Sequence, residues 1–140
     1  MANPNYYEIP NLVDHRPKIR PNAVKDTFND FSPNTFTILH INMHSLVHKM
    51  HLFEVLLAQL DVKFSCIIIS ETWFSSNEYY EKYFLDGHNL FCSSRPSGGG
   101  GGICAYVSDE YEDSVTDIRL RGSEAMVVRI NRSGRPVYSV

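Results

Sequence analysis

The chain has 140 residues, 43% of them hydrophobic and 21% charged, with a formal net charge of −3. This is an ordinary globular balance for one domain and excludes wholesale disorder, while the mildly acidic charge excludes a nucleic-acid binder that works by bulk positive charge. No apolar run reaches the ~20 residues of a bilayer span, and no basic stretch followed by an apolar one opens the chain, so neither a membrane partner nor a secretory signal is expected.

Residues 1–35 stand apart. They hold Pro4, Pro10, Pro17, Pro21 and Pro33, five of the seven prolines, with polar residues between them and no helical or strand period. Proline at this density breaks helices and ladders alike, so the segment reads as an extended or disordered leader and the domain as residues 36–140. Residues 36–41 form a β-type run that ends in Asn42. A helix follows, with Ser45 as its expected N-cap. Leu46, Met50, Phe53, Leu57 and Leu60 recur at steps of four and three and make one apolar stripe; Asp61 and Lys63 mark the exit. Residues 66–70 (CIIIS) are a short apolar run that reads as a buried strand, closed by Glu71-Thr72-Trp73. Strand, helix and strand at this spacing suggest a βαβ-like crossover. A short helix is expected over 78–84. Five β-type runs follow at 89–92, 103–107, 114–118, 125–130 and 136–140, and the gap at 131–135 suits a hairpin loop. The chain stops inside the last run, which suggests a truncated domain.

Several patterns bear on chemistry. Asn42 and Glu71 each close a strand-like run. A hard cation such as Mg²⁺ takes oxygen ligands and often needs only one or two carboxylates, so the pair is a candidate shared site; as plain polar strand ends they would need no site at all. The segment Asn42-Met43-His44-Ser45 opens the helix, and its N–H groups either favour an anion or simply cap. His44 and His48 have the spacing of a helical zinc pair, but no Glu follows the first, so a solvated polar face is the better reading. Arg95-Pro96-Ser97 before the glycine run 98–102 does not match GxxxxGK[ST] and reads as a flexible tip whose arginine can reach a nucleic-acid backbone. Cys66, Cys92 and Cys104, odd in number and without CxxC spacing, read as small buried hydrophobes of an intracellular protein.

Taken together, the segments ILHINMHSLVHKM (38–50), CIIISETWF (66–74), GHNLFCSSRPSGGGGGICAYV (87–107) and SEAMVVRI (123–130) resemble the endonuclease/exonuclease/phosphatase family. Within it they look most like the apurinic-type endonuclease domain of non-LTR retrotransposons, which accompanies a reverse transcriptase. The resemblance covers residues 36–140. It implies an α/β (α+β) fold, the first half of a four-layer α/β/β/α sandwich, and Mg²⁺-dependent cleavage of DNA phosphodiesters, with Mn²⁺ as a substitute and no small-molecule cofactor. By it Glu71 is the metal-binding carboxylate and Asn42 the catalytic amide beside it. His44, Ser45 and Arg95 are candidate nucleic-acid contacts; His44 stands where many relatives carry Arg or Asp. A working retroelement enzyme would be nuclear.

The family domain is about twice as long as the matching segment, and its second half carries a tyrosine, an Asp-x-Asn pair and a final Ser-Asp-His. The chain alone is therefore expected to be inactive. It is also expected to leave the inner face of its sheet bare. The alternatives are a non-catalytic binding remnant of the same fold, or another phosphodiesterase or phosphatase of the superfamily, such as an abasic-site repair nuclease.

Overall fold

A computed structural model describes residues 25, 26, 28, 29, 32, 34–75, 80–94, 99–119, 125–132 and 135–139, with side chains up to residue 111 and over 125–130. In chain order the elements are β1 (Ile38–Asn42), α1 (Leu46–Leu60), β2 (Cys66–Ser70), a 3₁₀ turn (Tyr80–Tyr83), β3 (His88–Ser93), β4 (Ile103–Ser108), a second 3₁₀ turn (Asp109–Ser114), β5 (Val115–Arg119), β6 (Met126–Arg132) and β7 (Arg135–Ser139). No helix among the described residues is long and apolar enough to cross a membrane.

Two sheets form: β1-β2-β4-β3, and β5-β6-β7. β1 and β2 run parallel, joined by the crossover through α1, with Asn42 opposite Ser70. β4 is antiparallel to both β2 and β3. Because side chains alternate along a strand, β2, β3 and β4 each serve two cores, while the alternate residues of edge strand β1 are exposed. Ile67 and Ile69 of β2, with Cys104 and Tyr106 of β4, meet Leu46, Phe53 and Leu60 of α1 on one face. On the other face Cys66, Ala105 and Val107 pack with Met126, Val128 and Ile130 of β6. The helix stripe is thus the buried one, and a side chain such as Phe53, fully buried against Tyr106, stabilises the fold by about 1.5–3 kcal/mol.

The second core corrects the expectation of a bare inner face: β6 lays three apolar side chains on it. Helix, sheet and sheet make three layers of a mixed α/β fold. The last hairpin is also tighter than a five-residue loop. Arg132 pairs with Arg135, so the strands extend inward and two residues connect them. Of the leader, residues 25, 26, 28 and 29 are helical, and the Phe28 ring stands edge-on to Phe64 at 5.4 Å.

Candidate active site

Parallel strands bring their carboxyl ends to the same edge of a sheet, where open α/β sheets keep their ligands. Here that edge collects the ends of β1 and β2, the end of β3 and the start of β4. Asn42 is the last residue of β1, and Glu71 directly follows Ser70, its partner in register. The two therefore stand on adjoining strand ends.

The backbone around them is unusual. His44 (φ 47°), Ser45 (φ 83°), Glu71 (φ 58°) and Trp73 (φ 60°) all adopt left-handed conformations, each of which costs a non-glycine residue about 1–2 kcal/mol. Such strain persists only where neighbouring bonds hold it, and it gathers at functional sites. The bonds are visible. The N–H of Met43 donates to the Ser70 carbonyl (3.1 Å), that of Ser45 to the Glu71 carbonyl (2.7 Å), and that of Val47 to the Thr72 carbonyl (3.4 Å). The loop after β2 is thereby sewn to the start of α1. The Asn42 side chain joins in, its Oδ1 accepting from the His44 N–H at 3.1 Å.

The Glu71 carboxylate is held from the other side. Its Oε2 accepts the backbone N–H of Gly101 (2.9 Å) and the indole N–H of Trp73 (3.0 Å). The Trp73 ring meets the His44 imidazole edge-on at 4.6 Å. Two further bonds tie the loops together: Thr72 N–H to the Gly102 carbonyl (3.3 Å) and Trp73 N–H to the Gly101 carbonyl (2.9 Å). Gly101 and Gly102 are buried, so the described end of the glycine run is a wall of the site and not the flexible tip expected. Glycine is required there: at Gly102 (φ +81°) a Cβ would stand 2.6 Å from Thr72 Oγ1.

Ser45 occupies the N-cap position but makes no side-chain cap; its hydroxyl lies 2.6 Å from His48 Nδ1, and the residue is 3% exposed. Carbonyls of residues 71 and 72 take the place of the expected capping oxygen, and the Ser45 side chain is buried. His44 is exposed at the mouth of the site. Arg95 lies outside the described residues. The residues that spacing alone left without a role are Trp73 as a donor and Gly101 as a backbone donor; the adjacency of Trp73 to Glu71 was the available signal.

Among the described residues no three His, Cys, Asp or Glu side chains gather in a metal-binding group. The donors at the strand ends are hard oxygens, one carboxylate and one amide. They fit a cation of the Mg²⁺ kind, which is content with one carboxylate and several waters, and they do not fit zinc, which wants a closed nitrogen and sulfur set.

No protein-family model matches the chain, and no curated protein matches it in sequence. Among solved structures it is similar to the AP endonuclease LMAP from Leishmania major, with a TM-score of 0.62 at 12% identity over 80% of this chain and 41% of that one. The chain spans less than half the length of that neighbour. At this identity the likeness is one of fold: the chain has the mixed α/β architecture of part of an AP endonuclease.

Proposed function

We propose that this chain is the N-terminal portion of a Mg²⁺-dependent DNA endonuclease domain of retroelement type and carries the carboxylate side of its active site. One observation supports the reading above others: the parallel pairing of β1 and β2 sets Asn42 and Glu71 on adjoining ends, in strained backbone, with the carboxylate fixed by two N–H donors. Retroelement type rests on the resemblance of the Asn42–Leu46 and Ser70–Trp73 segments. Glu71 would ligate the cation, and the NH₂ group of Asn42 would hydrogen-bond the scissile phosphate. His44, exposed beside them, would touch the nucleic-acid backbone, as would Arg95. A bound Mg²⁺ would supply charge neutralisation at the phosphoryl oxygens. The protein's own share is to hold the carboxylate and the phosphate in a fixed relation.

With one carboxylate in place, and no substrate phosphate to share the ion, cation affinity is weak. The 140 residues alone would bind the cation and DNA without cutting, because in the family that the chain resembles the groups that activate water and the leaving oxygen belong to the second half of the domain. The whole enzyme would act on DNA in the nucleus. Titration of the free Mn²⁺ resonance signal with the pure chain tests the site. Glu71→Gln should abolish specific binding, and Mn²⁺ uptake indifferent to that substitution would end the proposal. Mg²⁺-dependent nicking of supercoiled plasmid by the 140-residue chain, lost in Glu71→Ala, would refute the inactive half-site while establishing the ligand.

The fold likeness to an AP endonuclease favours one rival, an abasic-site repair nuclease. A duplex with one abasic site should then be bound at least tenfold more tightly than the intact duplex; equal binding speaks for the retroelement reading.

A further inference from the structure

The chain has a single tryptophan, and its indole N–H is spent on the one carboxylate of the site. From this geometry we infer that Trp73 is a positioning residue, which together with the Gly101 N–H fixes the orientation in which Glu71 meets a divalent cation. The inference rests on the reading of Glu71 as a metal ligand and adds to it the device that holds the ligand.

Trp73 and Glu71, two residues apart, both sit in left-handed backbone, at φ 60° and φ 58°, and their side chains share a hydrogen bond. Residues two apart share a face even in extended chain, so the contact itself needs no special turn. The positive φ values show instead that surrounding bonds hold this segment in one geometry. The ring is then kept in place from three directions. His44 packs edge-on to it at 4.6 Å. Its own backbone N–H is bonded to the Gly101 carbonyl at 2.9 Å. Gly100 lies over the contact, where even a Cβ would come to 3.5 Å from Nε1 and 3.6 Å from Glu71 Oε2. The same loop that supplies the Gly101 donor to the carboxylate therefore also fixes the indole that supplies the other.

Two donors on one carboxylate oxygen define the plane of the group, and with it the line along which a cation can approach. Side-chain groups that orient a metal ligand in this way are worth about 10- to 100-fold in affinity. An ordinary packing role for Trp73 would keep the fold stable but would be indifferent to whether the ring carries an N–H. The two roles are therefore separable.

The test uses the 140-residue chain. Its single indole gives one N–H cross-peak when tryptophan is labelled with ¹⁵N. In the wild type this peak should lie downfield of its position in the unfolded chain and be protected from solvent exchange. Glu71→Gln, which leaves Trp73 in place, should move it upfield and weaken the protection; Glu54→Gln, on the exposed face of α1, should not. Mn²⁺ affinity should fall about tenfold in Trp73→Phe at an unchanged melting temperature. Should that variant fail to fold, an isostere at position 73 with sulfur in place of the indole N–H carries the same comparison. Binding that depends on Glu71 but is untouched by loss of the N–H overturns the positioning role and leaves the metal site standing. An indole peak indifferent to Glu71→Gln overturns the positioning role directly. Absence of Mn²⁺ binding in the wild type removes the metal site, and the positioning role falls with it.

Discussion

Gly102 offers a measurement in which two physical costs separate cleanly. The residue precedes β4 at φ +81°, and a Cβ there would lie 2.6 Å from Thr72 Oγ1 and 3.5 Å from the Ser93 carbonyl. Gly87 has nearly the same backbone, φ +74°, with nothing within 4 Å of a Cβ. Gly87→Ala therefore isolates the left-handed penalty, about 1–2 kcal/mol. Gly102→Ala adds overpacking against a fully buried threonine, typically about 1–3 kcal/mol, for a total of about 2–5 kcal/mol. Equilibrium urea unfolding of the two variants beside wild type reads the difference. Thr72→Ala removes the offending oxygen, so Gly102→Ala in that background should be less damaging by about 0.5–3 kcal/mol of coupling. The Gly102 substitution should also disturb the site, because the Thr72 N–H donates to the Gly102 carbonyl and Gly101 carries the donor to Glu71. Equal costs at positions 87 and 102, with no coupling to Thr72, would refute the claim that Gly102, at the end of the glycine run, is packed into a wall.

Two other outcomes follow from the core. Phe53→Ala removes a fully buried ring from the contact with Tyr106 and should cost about 3–5 kcal/mol, whereas Tyr106→Phe removes only the 2.6 Å hydrogen bond to the Tyr83 carbonyl and should cost about 1 kcal/mol by the same urea assay. Burial pushes the Cys66 thiol from its ordinary 9.0 up to about 11. The unfolded thiol thus loses its proton first, and stability present below pH 9 is lost as pH rises toward 11, by up to about 3 kcal/mol at 1.36 kcal/mol per unit. Tyr106, also held protonated by burial, acts in the same direction, so the contribution of Cys66 is the part of the alkaline slope that disappears in Cys66→Val.

What the sequence reveals of this molecule divides along a physical line. The α1 stripe and the β2 and β4 runs could be read because burial imposes a period on the residues themselves: Leu46, Phe53 and Leu60 face inward, and Ile67 and Ile69 are buried on the helix side. The placing of Asn42 and Glu71 on adjoining strand ends follows from the same logic, since a parallel βαβ crossover brings the carboxyl ends of both strands to one edge. Backbone conformation leaves no such period. Nothing in the letters of Ser45, Glu71 or Trp73 announces a positive φ, because residues of these types adopt it rarely and only when tertiary bonds compel them. The bond from Gly101 to Glu71 spans 30 positions and comes from a backbone N–H that every non-proline residue has. Composition alone reads the glycine run as a flexible tip, whereas at Gly102 the packing against Thr72 is what demands the missing side chain. The cover over the inner face is illegible for a related reason, since a three-stranded sheet from residues 115–139 can be paired in register without revealing which face of the first sheet it meets. The candidate site thus combines two legible strand-end residues with a set of neighbours that only the folded chain brings within reach.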